Sequence, residues 1–237
     1  MRRAPRGDWA LAFVSGLIAA VIASTAFAQA PAQRPPPSPE AIARARAAAD
    51  RLIASAHAGD LFENVTDAAV PAVRHRASGL KCGFGTRPEA WSTDSIAVFS
   101  SGLPRGADVG CIIHFQGYVV SLDVSRQTRT PTLDAMTAYY VKSVLAQHPH
   151  ATPYVGPYVE PSGMKAGFPT FQSVRFSFDE AGGRQFSRLS VAIVKGWVIE
   201  ERVTGPYEDA QFGDLLATDE LLGAIVSVQG EDAPKRP

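Results

Sequence analysis

The sequence predicts an α+β fold, an antiparallel sheet built from hairpins with helices packed on it. From Val73 onward, apolar residues recur with a period of two in short runs, the mark of half-buried strands. Gly-containing turns join several of these runs closely enough for hairpins. Only three helical patterns occur, too few to serve as crossovers between parallel strands.

The first helix is expected to open at Ser38-Pro39-Glu40, which supplies a capping hydroxyl, a proline for the first turn and an acid at the positive end of the dipole. It should run to about Ala58, with Gly59 as its stop. Its apolar stripe of Ile42, Ala49, Leu52, Ile53 and Ala56 is thin, so this helix is peripheral. Strands follow at about 73–77, 80–84, 95–100, 110–115 and 118–126, the last two joined through Gln116-Gly117. Thr130-Pro131 starts a second helix, with Leu133, Met136, Tyr140, Val141, Val144 and Leu145 on one face and His148-Pro149 as its end. Strands at about 172–178, 185–194 and 197–204 turn at Ala181-Gly182-Gly183 and Lys195-Gly196. Thr218 should cap a last helix that ends near Ser227. In "VAIVKGWVIEERV", alternation points Trp197, Ile199 and Val203 at the helices and Glu200 and Arg202 away, with Trp197 and Val191 in the core.

The N-terminus reads as an export signal. Three arginines precede an apolar run from Trp9 to about Ala23, and Ala26-Phe27-Ala28 forms a cleavage site before Gln29. Gln29 is not a cysteine, which excludes lipoprotein processing at that cut. Residues 1–28 are thus the signal peptide, 29–39 ("QAPAQRPPPSP") a Pro-rich tether, 40–230 one α+β domain and 231–237 a flexible tail. No later stretch is long and apolar enough to span a bilayer. The full chain has a formal charge of zero, and the signal carries a surplus of two positive charges. Nothing in that balance asks for a nucleic-acid partner. The expected compartment is the periplasm, with an extracellular fluid as the alternative. There the two cysteines, Cys82 and Cys111, should form a disulfide, closing a loop worth roughly 3–4 kcal/mol in the chain-entropy account.

The tail "FQSVRFSF...GRQFSRLSVAIVKGWVIEERVTGPYED", two long strands hinged on a glycine and followed by a short amphipathic helix, resembles the PsbP-like family of α/β/α sandwiches over about residues 73–228. The resemblance implies a three-layer sandwich and a role as an accessory or binding protein.

No assembled catalytic set is visible. Ser162-Gly163-Met164-Lys165 has the S-x-x-K form of penicillin-binding proteins, but Pro161, Gly163, Gly167 and Pro169 deny it the helix that would bring Ser and Lys together. There is no G-x-S-x-G elbow. Glu200 and Glu201 are adjacent on a strand and leave opposite faces, so they cannot share a proton. Asp179-Glu180 and Asp219-Glu220 sit where acids are ordinary, at a turn and a helix start. The five histidines are scattered, and His148-Pro149-His150 is a weak clamp, so neither a metal nor another cofactor is expected. Arg74 and Arg76 share a strand face, with Lys81 and Arg87 beyond, and form a candidate anion patch.

"PYVGPYVEPSGMKAGFP", residues 153–169, is a candidate contact loop. Pro153, Pro157 and Pro161 suit an edge or surface crossing. Period-two geometry sends Tyr154 and Tyr158 outward and rests Val155 and Val159 on the sheet, before a turn containing Ser162 and Lys165. Together these features describe an exported, soluble envelope protein that binds an envelope protein or a small ligand. The alternative is a small periplasmic enzyme whose residues converge only in space, for which Arg74, His75, His114 and Ser162 would have to face one pocket.

Overall fold

The computed structural model describes residues 36–85, 90–159 and 167–230. The segment expected to be an export signal, most of the expected tether, Arg87, Ser162, Lys165 and the expected tail lie outside the described residues. The described elements are α1 (Pro39–Ser55), β1 (Phe62–Asn64), β2 (Ala72–His75), β3 (Lys81–Gly83), β4 (Ser95–Val98), β5 (Asp108–Phe115), β6 (Tyr118–Ser125), α2 (Leu133–Gln147), β7 (Thr152–Pro153), β8 (Phe171–Glu180), β9 (Gly183–Val194), β10 (Trp197–Pro206) and α3 (Ala210–Gln229). This is an α+β fold with every strand pairing antiparallel. A small sheet has the order β1-β2-β3, and a large one the order β4-β5-β6-β10-β9-β8-β7.

Local chemistry explains most of the elements. Ser38 Oγ accepts from Ala41 N–H at the start of α1, and Thr132 Oγ1 accepts from Ala135 N–H at the start of α2. Gln116-Gly117 and Lys195-Gly196 make tight hairpins with positive φ at both positions, a conformation that twists with the flanking strands. Helix α1 ends earlier than expected, at Ser55, because His57 takes the left-handed conformation that Gly59 was expected to supply.

The last helix departs most from expectation. It begins at Ala210, and Thr218 lies in its interior. The Thr218 hydroxyl donates to the carbonyl of Asp214 one turn back (2.9 Å) and accepts from the Arg188 guanidinium (2.6 Å), so a side chain that resembles a cap instead joins helix to sheet. Gly213 is tolerated in this helix because Tyr118 and Phe186 leave no room for a Cβ there. The Tyr118 hydroxyl donates to the Asp209 carbonyl (2.7 Å) and fixes the helix start.

The large sheet is covered on both faces. Trp197, Ile199 and Val203 of β10, with Val120, Leu122 and Val124 of β6, pack against Leu221 and Ile225 of α3, Leu52 of α1 and the small sheet. Val191, Leu189 and Val198 face the other way, against Met136 and Val144 of α2. Trp197 and Val191 are therefore both core residues, on opposite faces. The disulfide between Cys82 of β3 and Cys111 of β5 joins the two sheets, and both cysteines are fully buried.

Trp197 is 4% exposed and meets His75 edge to face. Trp197→Ala should lower the unfolding free energy by about 3–5 kcal/mol in urea denaturation. A change below about 1 kcal/mol would place the ring outside the packed core.

Candidate functional site

Helix α2 does not cover its face of the sheet evenly. Its apolar residues rest on β8, β9 and one end of β10, through Phe176, Phe178, Leu189, Val191 and Val198. The neighbouring strands β5 and β6 and the middle of β10 present polar side chains to the same face. A cleft of about 590 Å³ opens there, with Asp108, Asp123, Ser125 and Glu200 on the sheet and Met136, Tyr139, Tyr140 and Ser143 on α2.

Register makes this site. In the β6–β10 ladder Asp123 stands directly opposite Glu200, and in the β5–β6 ladder it stands opposite Gly110. Directly opposed side chains lie about 4.5–5.5 Å apart at Cβ, close enough for like charges to disfavour each other. Gly110 has no side chain, and a Cβ there would collide with the Asp123 carboxylate. Asp123 accepts from Ser121 Oγ at Oδ2 (3.0 Å), while its buried Oδ1 has no partner among the described residues. Arg202, the nearest cation on the strand, is held by Gln147 of α2 (3.1 Å).

Burial, then the Glu200 charge, pushes the Asp123 carboxyl up to about 7; Ser121 and Arg202 pull the other way. Burial likewise raises Glu200 to about 6, against the pull of Arg202. Both carboxyls are thus lifted toward neutral pH, and the Glu200 charge acts on Asp123 across the ladder. The Tyr140 phenol is raised above its ordinary value by burial first and the Glu200 charge second, so it stays a neutral hydrogen-bonding group.

The opposite face treats charge differently. Arg188 of β9 is fully buried: Nε donates to Ser190 Oγ (3.0 Å) and NH1 to Asp214 O (2.8 Å) and Thr218 Oγ1. Arg175 of β8, opposite Arg188 in the ladder, donates to Asp214 Oδ1 (2.7 Å). Glu201 is fully buried on this face, and neither of its oxygens has a hydrogen-bond partner among the described residues. Burial pushes its carboxyl up to about 8, with Arg188 opposing. This network holds α3 on the sheet.

Among the described residues, those singled out in the sequence do not gather. His75 is buried between Phe62 and Trp197, Arg74 is exposed, and His114 hangs by its backbone N–H on Asp94 (2.7 Å). Arg74 and Arg76 both bind Glu63 (2.9 and 3.0 Å), from a three-residue strand too short to be seen as a period. The loop corrects the orientation expected of Tyr154 and Val155. Tyr154 packs inward against Phe186 and Tyr207, and Val155 is 90% exposed. The chain is not extended here: Tyr154 folds over Gly156 and donates to the Pro157 carbonyl (3.2 Å), so period-two alternation fails. Tyr158 is 52% exposed, as expected, with the Arg175 guanidinium 4.2 Å from its ring centroid. Val159 donates its N–H to Asp214 (2.7 Å). Among the described residues no three His, Cys, Asp or Glu side chains are placed to hold a metal ion, and no helix is long and apolar enough to cross a membrane.

No protein-family model matches the chain, and no curated protein matches it. Among solved structures, PA94 of Pseudomonas aeruginosa, a protein of unknown function, aligns over 70% of this chain and 98% of its own, at 14% identity and a TM-score of 0.34. LpqN of Mycobacterium tuberculosis, involved in cell envelope biogenesis, aligns over 57% of this chain and 83% of its own, at 12% identity and a TM-score of 0.31. Likenesses at these scores carry no argument about this chain.

An acid whose folded pKa is raised keeps a proton that the unfolded chain releases, so stability falls as pH rises from the ordinary carboxyl value to the folded one. For Asp123 that window runs from 3.8 to about 7. Asp123→Asn should therefore match the parent near pH 4 and melt a few degrees higher at pH 8, measured by calorimetry. A difference in melting temperature that stays constant across this range would contradict the assignment.

Proposed function

We propose that this chain is an exported, non-catalytic binding or accessory protein of the cell envelope, and that its ligand sits in the cleft beside α2. The observation that carries the reading is the cross-strand Asp123–Glu200 pair standing in an open cleft. Placing two acids directly opposite each other costs stability, and Ser121 and Arg202 offset that cost only in part. A cationic group would offset it. Tyr139, Tyr140, Phe99 and Met136 add aromatic and apolar surface, which suits an amine or guanidinium carried on an apolar or aromatic body.

The disulfide supports an oxidising compartment, hence the periplasm or an extracellular fluid after cleavage behind Ala28. The accessory role agrees with the PsbP-like resemblance of the strand and helix order. A second reading, an enzyme using Asp123 and Glu200 for proton transfer, is favoured by their place in the cleft, where burial lifts both carboxyls toward neutral pH, the range that suits acid–base residues.

Isothermal titration calorimetry with 2-phenylethylamine and with agmatine tests the binding reading. At pH 8, where both acids are ionised, saturable binding is expected, and Glu200→Gln should weaken it about tenfold or more. At pH 5 the unchanged protein should show a similar loss. Equal affinity in Glu200→Gln and the parent at pH 8 would contradict the proposal.

A further inference from the structure

A second cleft, of about 350 Å³, lies on the other side of the large sheet, where the β4–β5 loop meets the end of β6. Its walls are mainly apolar: Leu61, Ala77, Pro104, Ala107 and the indole of Trp197. Gly106, at φ +80°, lets the loop close against Leu61, where any side chain would collide. Three arginines stand around these walls, Arg76, Arg105 and Arg126, with Asp60 as the one acid among the lining residues.

The three cations differ. Arg105 is clamped by Asp60 (3.0 and 3.2 Å) and by the His57 carbonyl (2.7 Å), and Arg76 by Glu63 (3.0 Å). Arg126 has no carboxylate partner among the described residues. Its backbone N–H is tied to Ala107 (2.7 Å) and its guanidinium carbon lies 5.6 Å from the Trp197 ring centroid, so the charge is positioned but unpaired.

His75, fully buried, also lines this cleft, and its neighbours fix its proton. Ser78 Oγ accepts from Leu80 N–H (3.1 Å), so its own proton is free to go to His75 Nδ1 (2.9 Å). The Ser78 backbone N–H also donates to Nδ1 (3.3 Å). Nδ1 must therefore be an acceptor, which places the ring proton on Nε2. Burial holds the imidazole below its usual value and keeps it neutral. Nε2 is thus a buried donor with no acceptor among the described residues, a costly state unless something meets it.

An unpaired cation and two clamped ones, set beside apolar walls that include the indole of Trp197, define a ligand chemistry. We propose that this cleft binds an anionic amphiphile, a carboxylate or phosphate head on a short apolar body, with Arg126 as the principal head-group contact and Trp197 as the wall for the body. The site is separate from the acidic cleft beside α2, and the two call for opposite charges.

The test is a titration of the full chain with sodium octanoate, followed by the ¹⁵N–¹H resonance of the Trp197 indole. Acetate and inorganic phosphate serve as the head without the body. Octanoate should shift the indole saturably, and acetate and phosphate should bind about tenfold more weakly or worse. Arg126→Gln, a substitution of an exposed side chain, should weaken octanoate about tenfold or more. Glu200→Gln should leave octanoate binding unchanged, which separates this site from the acidic cleft. No saturable shift up to roughly 10 mM octanoate, or an Arg126→Gln titration matching the parent, would overturn the proposal. Phosphate binding as tightly as octanoate would overturn the role of the apolar body.

Discussion

The register between β6 and β10 is the constraint on which the rest of the structure depends. Strands β4 to β6 and β7 to β10 are two hairpin-built halves, each held by near neighbours in sequence. Only the β6–β10 ladder, from Val198↔Ser125 to Thr204↔Val119, joins them into one sheet. That pairing crosses roughly half of the described chain and closes late and at an entropic cost. It also decides what each face carries, because a slip of one residue would turn every β10 side chain over. In the observed register Trp197, Ile199 and Val203 reach the α3 side, and Glu200 reaches Asp123.

The two faces that result handle ionisable groups in opposite ways. Under α3, charge is enclosed and neutralised: Asp214 lies between Arg175 and Arg188, and Thr218, Ser190 and Ser173 take further guanidinium protons. Such a buried network is a weak source of net stability but leaves α3 with one docking position, since breaking any member strands a buried charge. Glu201 fits this enclosure as a neutral acid. Its raised pKa means its contribution to stability is present at acid pH and is lost as pH rises through about 8. Beside α2 the acids are left at the edge of water instead.

Much of this was legible in the sequence because it is local. Period two, Gln116-Gly117 and Lys195-Gly196 specify the hairpins, and an even count of two cysteines points to the disulfide. The alternation of "VAIVKGWVIEERV" correctly separates Trp197 from Glu200. What was not legible is relational. Along the chain the adjacent carboxylates Glu200 and Glu201 part company, and the pair that forms is Asp123 with Glu200, across strands. Thr218 has the composition of a cap and the position of a bridge, because Arg188 supplies its partner from the sheet. Tyr154 turns inward because its hydroxyl reaches the Pro157 carbonyl, a fold of the chain that alternation does not describe. Arg126 has no distinguishing sequence signal; its importance comes from Trp197, brought beside it by the long-range ladder.

Strand register holds Asp123 and Glu200 opposite each other, so the ionisation of one should be felt by the other. The most direct measurement is a ¹³C NMR titration of the side-chain carboxyl carbons of Asp123 and Glu200, recorded from pH 3 to 9. The pair should titrate with apparent midpoints near 7 and 6, the shift of each carbon sensing the other's ionisation. Two independent midpoints near the ordinary carboxyl values of roughly 4 would contradict the account.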